Sequence, residues 1–343
     1  MKQTILFGNG IRRIGGNDSL EWKNVLNRLL RPGEALLGNT DDKFLILPYP
    51  HVYEDLLLNQ RAMPQNYKDK NIFSVEDNIK KKLGCSLKKI ESSSSENFVY
   101  DKLLSLKADY YLTTNYDKQF NERLRVSGYE EIVNERHYYE RVFSLQRREF
   151  YHSKKAKHTL SVWPIHGDIT KMDTLMLGYD HYCASISKID RYLKTGDNGS
   201  HKHPIRKIKE YNIWKKNVTL TYKPYIRFLR ERYNDRCQID AWVDTFFFAD
   251  VHIIGFGYDL SEIDLWWILN KRYRVMKEQF AAREPILKNQ IYCYGYYEPM
   301  VLTLLKAYGV ETCYATSDKP KNNEEWERLY NDSLNLMRKN MKM

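Results

Sequence analysis

The order of apolar runs along the chain is the feature that most constrains its fold. Short apolar runs that suit buried strands are repeatedly followed by segments whose apolar residues have helical spacing. Residues 251–258 (VHIIGFGY) form such an apolar run, and the segment that follows, residues 260–280, has the spacing of an amphipathic helix. Because neighbouring parallel strands need a crossover connection, usually a helix, this alternation predicts a parallel sheet.

The same alternation recurs over most of the chain and predicts an α/β fold, with a Rossmann-like parallel sheet and helices on both faces. Strands are predicted at residues 4–7, 108–112, 160–166, 251–258, 291–297 and 310–315, with a short one at the start of 174–185. Helices are predicted at residues 19–30, 52–62, 71–90, 98–106, 117–124, 223–233, 241–248, 260–280, 298–309 and 323–341.

The domain organisation follows from the same pattern. We expect residues 1–343 to form a single domain whose core spans about 1–124, 158–187 and 250–320. Helical and basic insertions, forming a cap over the sheet, are predicted at about 125–157 and 188–249, and a C-terminal helix at 323–341. The serine-rich segment 91–97 (ESSSSEN) is predicted to be a loop or linker.

Composition predicts a globular protein, and the cysteines and histidines do not predict a metal site. Hydrophobic residues make up 42% of the 343, which is enough for a sizeable core. The five cysteines are scattered and form no C-x-x-C pair, so we expect reduced thiols rather than a zinc site or a disulfide framework. His201 and His203 lie in a basic loop without nearby cysteines or acids, which argues against a metal there.

The location of the protein is predicted from two features. No apolar run approaches the about 18 residues that a membrane span needs. The N-terminal residues start with a strand pattern and lack the order of a secretory signal. We therefore expect a cytoplasmic protein without a membrane partner.

Positive charge is concentrated in one part of the chain. The net charge is +11, and residues 188–236 hold 14 Lys/Arg against 5 Asp/Glu. A basic patch attracts phosphates, so a nucleic-acid-binding module is one hypothesis for this segment. A solvated surface insertion is the commoner explanation of such a composition.

Polar residues and glycines follow four of the predicted strands. They are Gly8-Asn9-Gly10, Asn115 with Asp117, His166-Gly167-Asp168 and Gly255-Phe256-Gly257. A capped turn would explain residues 112–117 (LTTNYD) taken alone, since Asn and Asp readily bond their own backbone. In a parallel sheet, however, all strands end at one edge, where open α/β sheets bind their ligands. We therefore expect these groups to converge.

The ordered set of motifs resembles the sirtuin-like family, and more specifically its bacterial branch linked to defence against phage. The motifs are FGNGI, LTTNYD, WPIHGD, LGYDHY and IIGFGYDLSEIDLWWIL. The resemblance covers roughly residues 3–35, 98–124, 158–186 and 250–315, and leaves residues 36–97 and 188–249 uncovered.

The resemblance implies a role for individual residues. Asn115 would hold the nicotinamide ribose and an attacking water, Asp117 would be the acid of the ribose site, and His166 would be the general base. The residues that would bind NAD⁺ are Gly8, Asn9, Gly10, Ile11, Thr114, Gly255, Gly257, Tyr258 and Asp259.

Departures from the family pattern favour hydrolysis of NAD⁺ over protein deacetylation. The four-cysteine zinc module of deacetylating sirtuins is missing, and Thr114 and Asn9 stand where a Gln and an Ala are usual. These departures fit the branch that resembles NAD⁺ glycohydrolases. The resemblance then implies a triggered effector of anti-phage defence that depletes NAD⁺, working as a homo-oligomer or with an activating partner such as an ATPase. ADP-ribosyl transfer and deacylation are the alternative reactions.

The chemistry of the side chains suggests a catalytic role for His166 and structural roles for the other polar residues near these motifs. A histidine with an ordinary pKa near 6.5 can accept a proton from water, which suits His166 as a base. His181 is predicted to be structural. Asp259 and Glu262 are predicted to serve the turn and helix start after residue 258, where Ser261 and Asp264 have capping-box spacing.

Overall fold

A computed structural model describes most of the chain, and every structural statement below concerns the described residues. These are residues 1–15, 22–36, 48–63, 71–90, 93–132, 144–195, 239–282 and 287–341. Most of the basic segment 188–236 lies outside them, as do the predicted helix 223–233 and the histidines 201 and 203, so the nucleic-acid hypothesis stays a prediction.

The described residues build one eight-stranded sheet, which confirms the α/β, Rossmann-like fold. Its strands are β1 (Lys2–Phe7), β2 (Tyr110–Thr113), β3 (Glu130–Ile132), β4 (Glu149–Ser153), β5 (His158–Pro164), β6 (Ala249–Ile254), β7 (Ile291–Tyr296) and β8 (Glu311–Thr316). The order across the sheet is β3-β4-β5-β2-β1-β6-β7-β8. The six strands from β5 to β8 in this order are parallel, while β3 and β4 pair antiparallel at one edge.

The central strand β1 marks the point where the strand order reverses. It pairs with β2 on one side, through Leu6 opposite Leu112, and with β6 on the other, through Leu6 opposite Ile253. In open α/β sheets the ligand crevice lies beyond the carboxyl ends of the strands at such a switch point. The turns after β1 and β6 occupy this position.

Ten α-helices surround the sheet in the described part of the chain. They are α1 (Trp22–Asn27), α2 (Tyr49–Leu58), α3 (Ile72–Leu87), α4 (Ser94–Ser105), α5 (Gln119–Val126), α6 (Tyr179–Thr195), α7 (Trp242–Phe248), α8 (Ile263–Ala282), α9 (Pro299–Ala307) and α10 (Asn323–Asn340). Short 3-10 helices follow β1 (Asn9–Gly15) and β5 (Met172–Thr174). No helix in these ranges is both long and apolar enough to cross a membrane.

Hydrophobic cores lie on both faces of the sheet, because side chains of a strand alternate between faces. Ile5 and Phe7 of β1 belong to one core, and Leu6 belongs to the other. A third core joins α1, α2 and α3 to the loops after β2 and β5, where Tyr116 and Ile169 contribute to it. This helical layer stands beside the carboxyl edge of the sheet and supplies one wall of the site.

Several predictions about local structure are corrected. Within the predicted insertion 125–157, the described residues 130–132 and 149–153 form β3 and β4, which extend the sheet, and residues 133–143 lie outside the described ranges. No strand forms at 175–177, where a 3-10 turn leads into α6. Residues 94–97 of the serine-rich segment begin α4, whose first turn is capped reciprocally by Ser93 and Glu96. In the predicted cap 188–249, α7 is wholly buried and packs against β6, while residues 196–238 lie outside the described ranges, so the cap stays a prediction.

Candidate active site

The two glycine turns at the switch point are packed directly against each other. The backbone N–H of Gly10 donates to the carbonyl of Gly255 at 2.7 Å. A Cβ at Gly8 would lie 2.7 Å from the ring of Phe256, and one at Gly10 would lie 2.7 Å from the Gly255 oxygen. The absence of side chains at these positions therefore lets the two turns meet.

Gly255→Ala is expected to lower the free energy of unfolding by about 2–3 kcal/mol. Gly255 has φ +61°, and an added Cβ would lie 2.5 Å from Cγ1 of Ile11 and 3.0 Å from its nitrogen. Gly257→Ala is the matched control, since no atom of the described residues lies within 4 Å of its added Cβ. Urea unfolding of both variants checks this, and equal losses of stability would contradict it.

A cavity of about 990 Å³ opens beside the two turns. Its volume lies within the range of small-molecule and cofactor sites. Ten residues singled out from the sequence line it: Asn9, Gly10, Thr114, Asn115, Asp117, His166, Gly255, Gly257, Tyr258 and Asp259. Gly8 and Ile11 do not line it. Ile11 is fully buried in the core beneath the turn, so its contribution is to packing.

Asn115 presents an unsatisfied amide oxygen. It follows β2, and its backbone N–H donates to the Thr113 hydroxyl at 3.0 Å. The residue is buried, and its Oδ1 has no hydrogen-bond partner among the described residues. Buried polar atoms in native proteins are almost always paired, so an orphan on a residue that lines a cavity calls for an explanation, and a ligand group is one.

Asp117 is held by two neighbours at the edge of the same cavity. One carboxylate oxygen accepts from the backbone N–H of Gln119 at 3.1 Å, at the start of α5. The other lies 3.3 Å from the guanidinium of Arg12, which also contacts Glu96 at 3.1 Å. These contacts fix the carboxylate in place.

His166 lies between two carboxylates. Its Nδ1 is 3.4 Å from Oε2 of Glu262, and its Nε2 is 3.3 Å from Oδ2 of Asp264. The ring also meets Tyr182 edge-on, with 5.6 Å between ring centroids, and the Tyr182 hydroxyl contacts Glu262 at 3.4 Å. We call His166, Glu262 and Asp264 the buried triad, since all three side chains are nearly inaccessible to water.

Burial and charge act against each other within the buried triad. Burial lowers the pKa of His166, but the charges of Asp264 and Glu262 outweigh it and raise the pKa to about 9. Burial raises the pKa of Glu262 to about 7, opposed by the positive charge of His166. The two carboxylates therefore favour the protonated form of the His166 imidazole.

The buried triad also has the residue types of a metal site. One ligand-type atom from each residue lies within 4.8 Å of the others. However, each nitrogen of His166 faces a different carboxylate, so a metal ion would require the ring to give up one of these contacts. The arrangement is that of an imidazolium held by two carboxylates, and it does not fit a coordination sphere.

Glu262 and Asp264 are the site residues that sequence reasoning missed. The predicted capping box is wrong, because Asp264 contacts His166 and the Ser261 side chain instead bonds Asp259. Asp259 does serve this turn, since its carboxylate accepts from the Ser261 N–H at 2.8 Å. The available signal was the acidic spacing at the start of an apolar helix, which ordinary helix capping explains equally well.

Two groups of aromatic rings line the cavity. Trp22 stacks on Tyr49 and meets Tyr116 edge-on, each with 5.6 Å between centroids. In the second group Trp326 contacts Tyr296 and Tyr330, at 6.0 and 6.1 Å. Flat aromatic surfaces of this kind suit planar heterocycles. Lysines 23, 319 and 321 also line the cavity and add positive charge to its wall.

Tyr258 has a strained backbone at the end of the second turn. Its φ is +50°, which is uncommon for a bulky residue, and its side chain is fully buried. The ring packs against Phe256 and Trp266. Such strain persists where surrounding packing over-determines the backbone, and it clusters at functional sites.

His181 lies outside the cavity. Its Nε2 is 2.7 Å from Glu76 of α3, and its Nδ1 accepts from the backbone N–H groups of Leu177 and Gly178. These contacts join α3 to the start of α6, which agrees with its structural interpretation.

Neither a protein-family model nor a curated protein matches the chain. The function is therefore inferred from the residues and geometry of the cavity.

Proposed function

We propose that the protein hydrolyses the nicotinamide–ribose bond of NAD⁺. The observation that carries this proposal is that an amide, an acid and an imidazole from separate segments, Asn115, Asp117 and His166, line one cavity. That cavity lies beside two glycine turns at the switch point of a parallel sheet, where dinucleotides commonly bind.

The cavity has features that suit each part of a dinucleotide. Close-packed glycine turns allow backbone N–H groups to approach a diphosphate. The aromatic groups around Trp22 and Trp326 offer surfaces for two planar rings. Lysines on the wall add electrostatic attraction for phosphate oxygens.

The chemistry requires little beyond positioning and a place for one proton. The nicotinamide of NAD⁺ is cationic, so it departs as a neutral molecule and needs no acid. The ribose passes through an oxocarbenium-like state, as other glycosides do. The enzyme must orient the ribose and a water, stabilise positive charge on the sugar, and accept a proton from the water.

The residues of the cavity can divide these tasks. The orphan Oδ1 of Asn115 accepts a hydrogen bond from the attacking water or a ribose hydroxyl. Asp117, fixed by Arg12 and the start of α5, accepts from a ribose hydroxyl and offsets positive charge on the sugar. The buried triad receives the proton that the water loses.

The biological role is the part of the proposal that depends on the family resemblance. The sirtuin-like motifs support a triggered effector that depletes NAD⁺ in defence against phage. Control by homo-oligomer assembly or by an activating partner such as an ATPase stays a prediction, as does a cytoplasmic location.

Purified protein is expected to convert NAD⁺ to nicotinamide and ADP-ribose, and Asn115→Ala to lower the rate by at least about 100-fold through loss of positioning. Chromatography of the products measures this. Because Oδ1 of Asn115 has no partner to lose, the variant should unfold at the same urea concentration as wild type. Asn59→Ala, at the exposed end of α2, is the control and should keep full activity.

Two further results decide between this proposal and its alternatives. ADP-ribose attached to protein, or acyl-ADP-ribose formed with an acylated peptide, would favour transfer over hydrolysis. If the resting protein is inactive, calorimetry should still detect NAD⁺ binding that Asn115→Ala weakens. Absence of both cleavage and binding would reject the proposal.

A further inference from the structure

The two carboxylates beside His166 limit what it can do in catalysis. Each ring nitrogen faces a carboxylate oxygen, at 3.4 Å for Glu262 and 3.3 Å for Asp264. These are ion-pair contacts, since Nε2 makes no hydrogen bond with the described residues. Two neighbouring negative charges stabilise the imidazolium, which has no free lone pair on either nitrogen. In this state His166 cannot take a proton from water.

Glu262 is the member of the buried triad that combines proton-accepting capacity with access to the cavity. Glu262 and His166 both line the cavity wall, whereas Asp264 is fully buried and does not line it. A carboxylate has up to four acceptor sites, so Glu262 keeps acceptor capacity beyond its contacts with His166 and Tyr182.

We propose that Glu262 is the general base of this site, and that Asp264 and His166 are positioning residues that hold its carboxylate towards the cavity. The inference depends on the proposed hydrolysis of NAD⁺ and names the group that receives the proton. It replaces the role that the sequence motif assigned to His166.

Hydrolysis breaks one bond of the ribose and forms another. The bond between C1′ of the ribose and the nicotinamide nitrogen breaks, and its electron pair neutralises the ring. The oxygen of water forms the new bond to C1′, and the proton that this water loses goes to Glu262. Glu262 later releases the proton to solvent, so the products are nicotinamide, ADP-ribose and one proton.

The groups around Glu262 come from four segments and prepare it for this role. Six residues interact electrostatically with the Glu262 carboxylate through a charge or a hydroxyl group: His166, Asp264, Asp259, Tyr182, Tyr116 and Tyr258. Burial raises the pKa of Glu262 to about 7, with Asp264 and Asp259 adding to the rise and His166 opposing it. A base works best when its pKa is close to the working pH.

Glu262→Gln tests the proposal because it keeps the shape and removes the proton acceptor. We expect kcat to fall by about 100- to 10,000-fold, as for loss of a general base, while the calorimetric Kd for NAD⁺ stays within a factor of three. Glu76→Gln is the matched control, because Glu76 also contacts a histidine, His181 at 2.7 Å, but does not line the cavity.

The pH profile of the wild-type protein gives a test that needs no variant. kcat should rise with pH, reach half its maximum near pH 7, where the pKa of Glu262 lies, and level off at about one pH unit above it as the base loses its proton. This limb should vanish in Glu262→Gln. Wild-type turnover that does not change between pH 5.5 and 8 overturns the inference, as does near-normal turnover by Glu262→Gln. Activity lost with a chelator and restored by a divalent metal overturns it too. If wild type neither binds nor cleaves NAD⁺, the proposed function itself fails.

Discussion

His166→Gln is expected to reduce NAD⁺ turnover by about 100-fold through loss of positioning and to destabilise the fold at neutral pH. His166 is the positive charge between Glu262 and Asp264, two carboxylates that are almost fully buried. Removing one partner of a buried ion pair leaves an uncompensated charge, which costs about 3–5 kcal/mol. Turnover falls because the Glu262 carboxylate loses the cation that positions it.

The loss of stability is expected to depend on pH in a defined direction. The pKa of His166 is raised to about 9 in the folded protein, against about 6.5 for an unperturbed histidine. Its stabilising contribution is therefore complete below pH 6.5 and is lost as the pH rises through 9. The free energy of unfolding of wild type should exceed that of His166→Gln most at pH 6–7, and the gap should shrink towards pH 9.

Urea unfolding of both proteins at pH 6.5, 7.5 and 9 measures this gap. His252→Gln is the matched control, because burial lowers the pKa of His252 to about 4 and keeps its ring neutral over this range. The loss of unfolding free energy caused by His252→Gln should therefore be the same at all three pH values. A gap for His166→Gln that stays constant up to pH 9 would show that the imidazolium does not stabilise the buried triad.

Arg12→Gln is expected to lower the free energy of unfolding by about 3–5 kcal/mol, since it leaves the buried carboxylate of Glu96 without its cation. Arg12 is 1% exposed and Glu96 is fully buried. The guanidinium also contacts Asp117 at 3.3 Å, so its loss frees a carboxylate of the cavity. We expect a lower unfolding midpoint in urea together with weaker NAD⁺ binding.

The control for this prediction is an ion pair at the surface. Arg123 contacts Asp101, but the two side chains are 22% and 42% exposed, so Arg123→Gln should cost less than about 1 kcal/mol. Adding Glu96→Gln to Arg12→Gln removes the orphaned carboxylate and should recover part of the lost stability. Equal losses for the two arginine variants would contradict the role given to burial.

Much of the fold could be predicted because its signals are local. The runs ending near Phe7 and Ile254 have the length and apolar character of buried strands, and the following segments have helical spacing. The antiparallel strand β4 was missed because its sequence, EFYHS, mixes polar and aromatic residues. It is a strand because the exposed backbone of β5 pairs with it, and that is a non-local interaction.

The convergence of candidate residues could also be predicted, since parallel strands all end at one edge. This is why Asn115, His166 and Gly255 could be expected at one site without knowledge of any contact. The prediction does not extend to which side chains face a ligand. Ile11 was expected to contact NAD⁺, and it lies in the core instead.

The amino-acid sequence by itself determined the alternation of strands and helices and the edge at which the polar groups gather, because both depend on short-range periodicity and on chain direction. Only the tertiary structure decided which of those groups holds a proton. Helix α8 packs against α6 and α7. Its first turn brings Glu262 and Asp264 to the two ring nitrogens of His166, and water is excluded from all three side chains. Charge–charge interactions become strong only where water is excluded, and a linear sequence does not record where that happens.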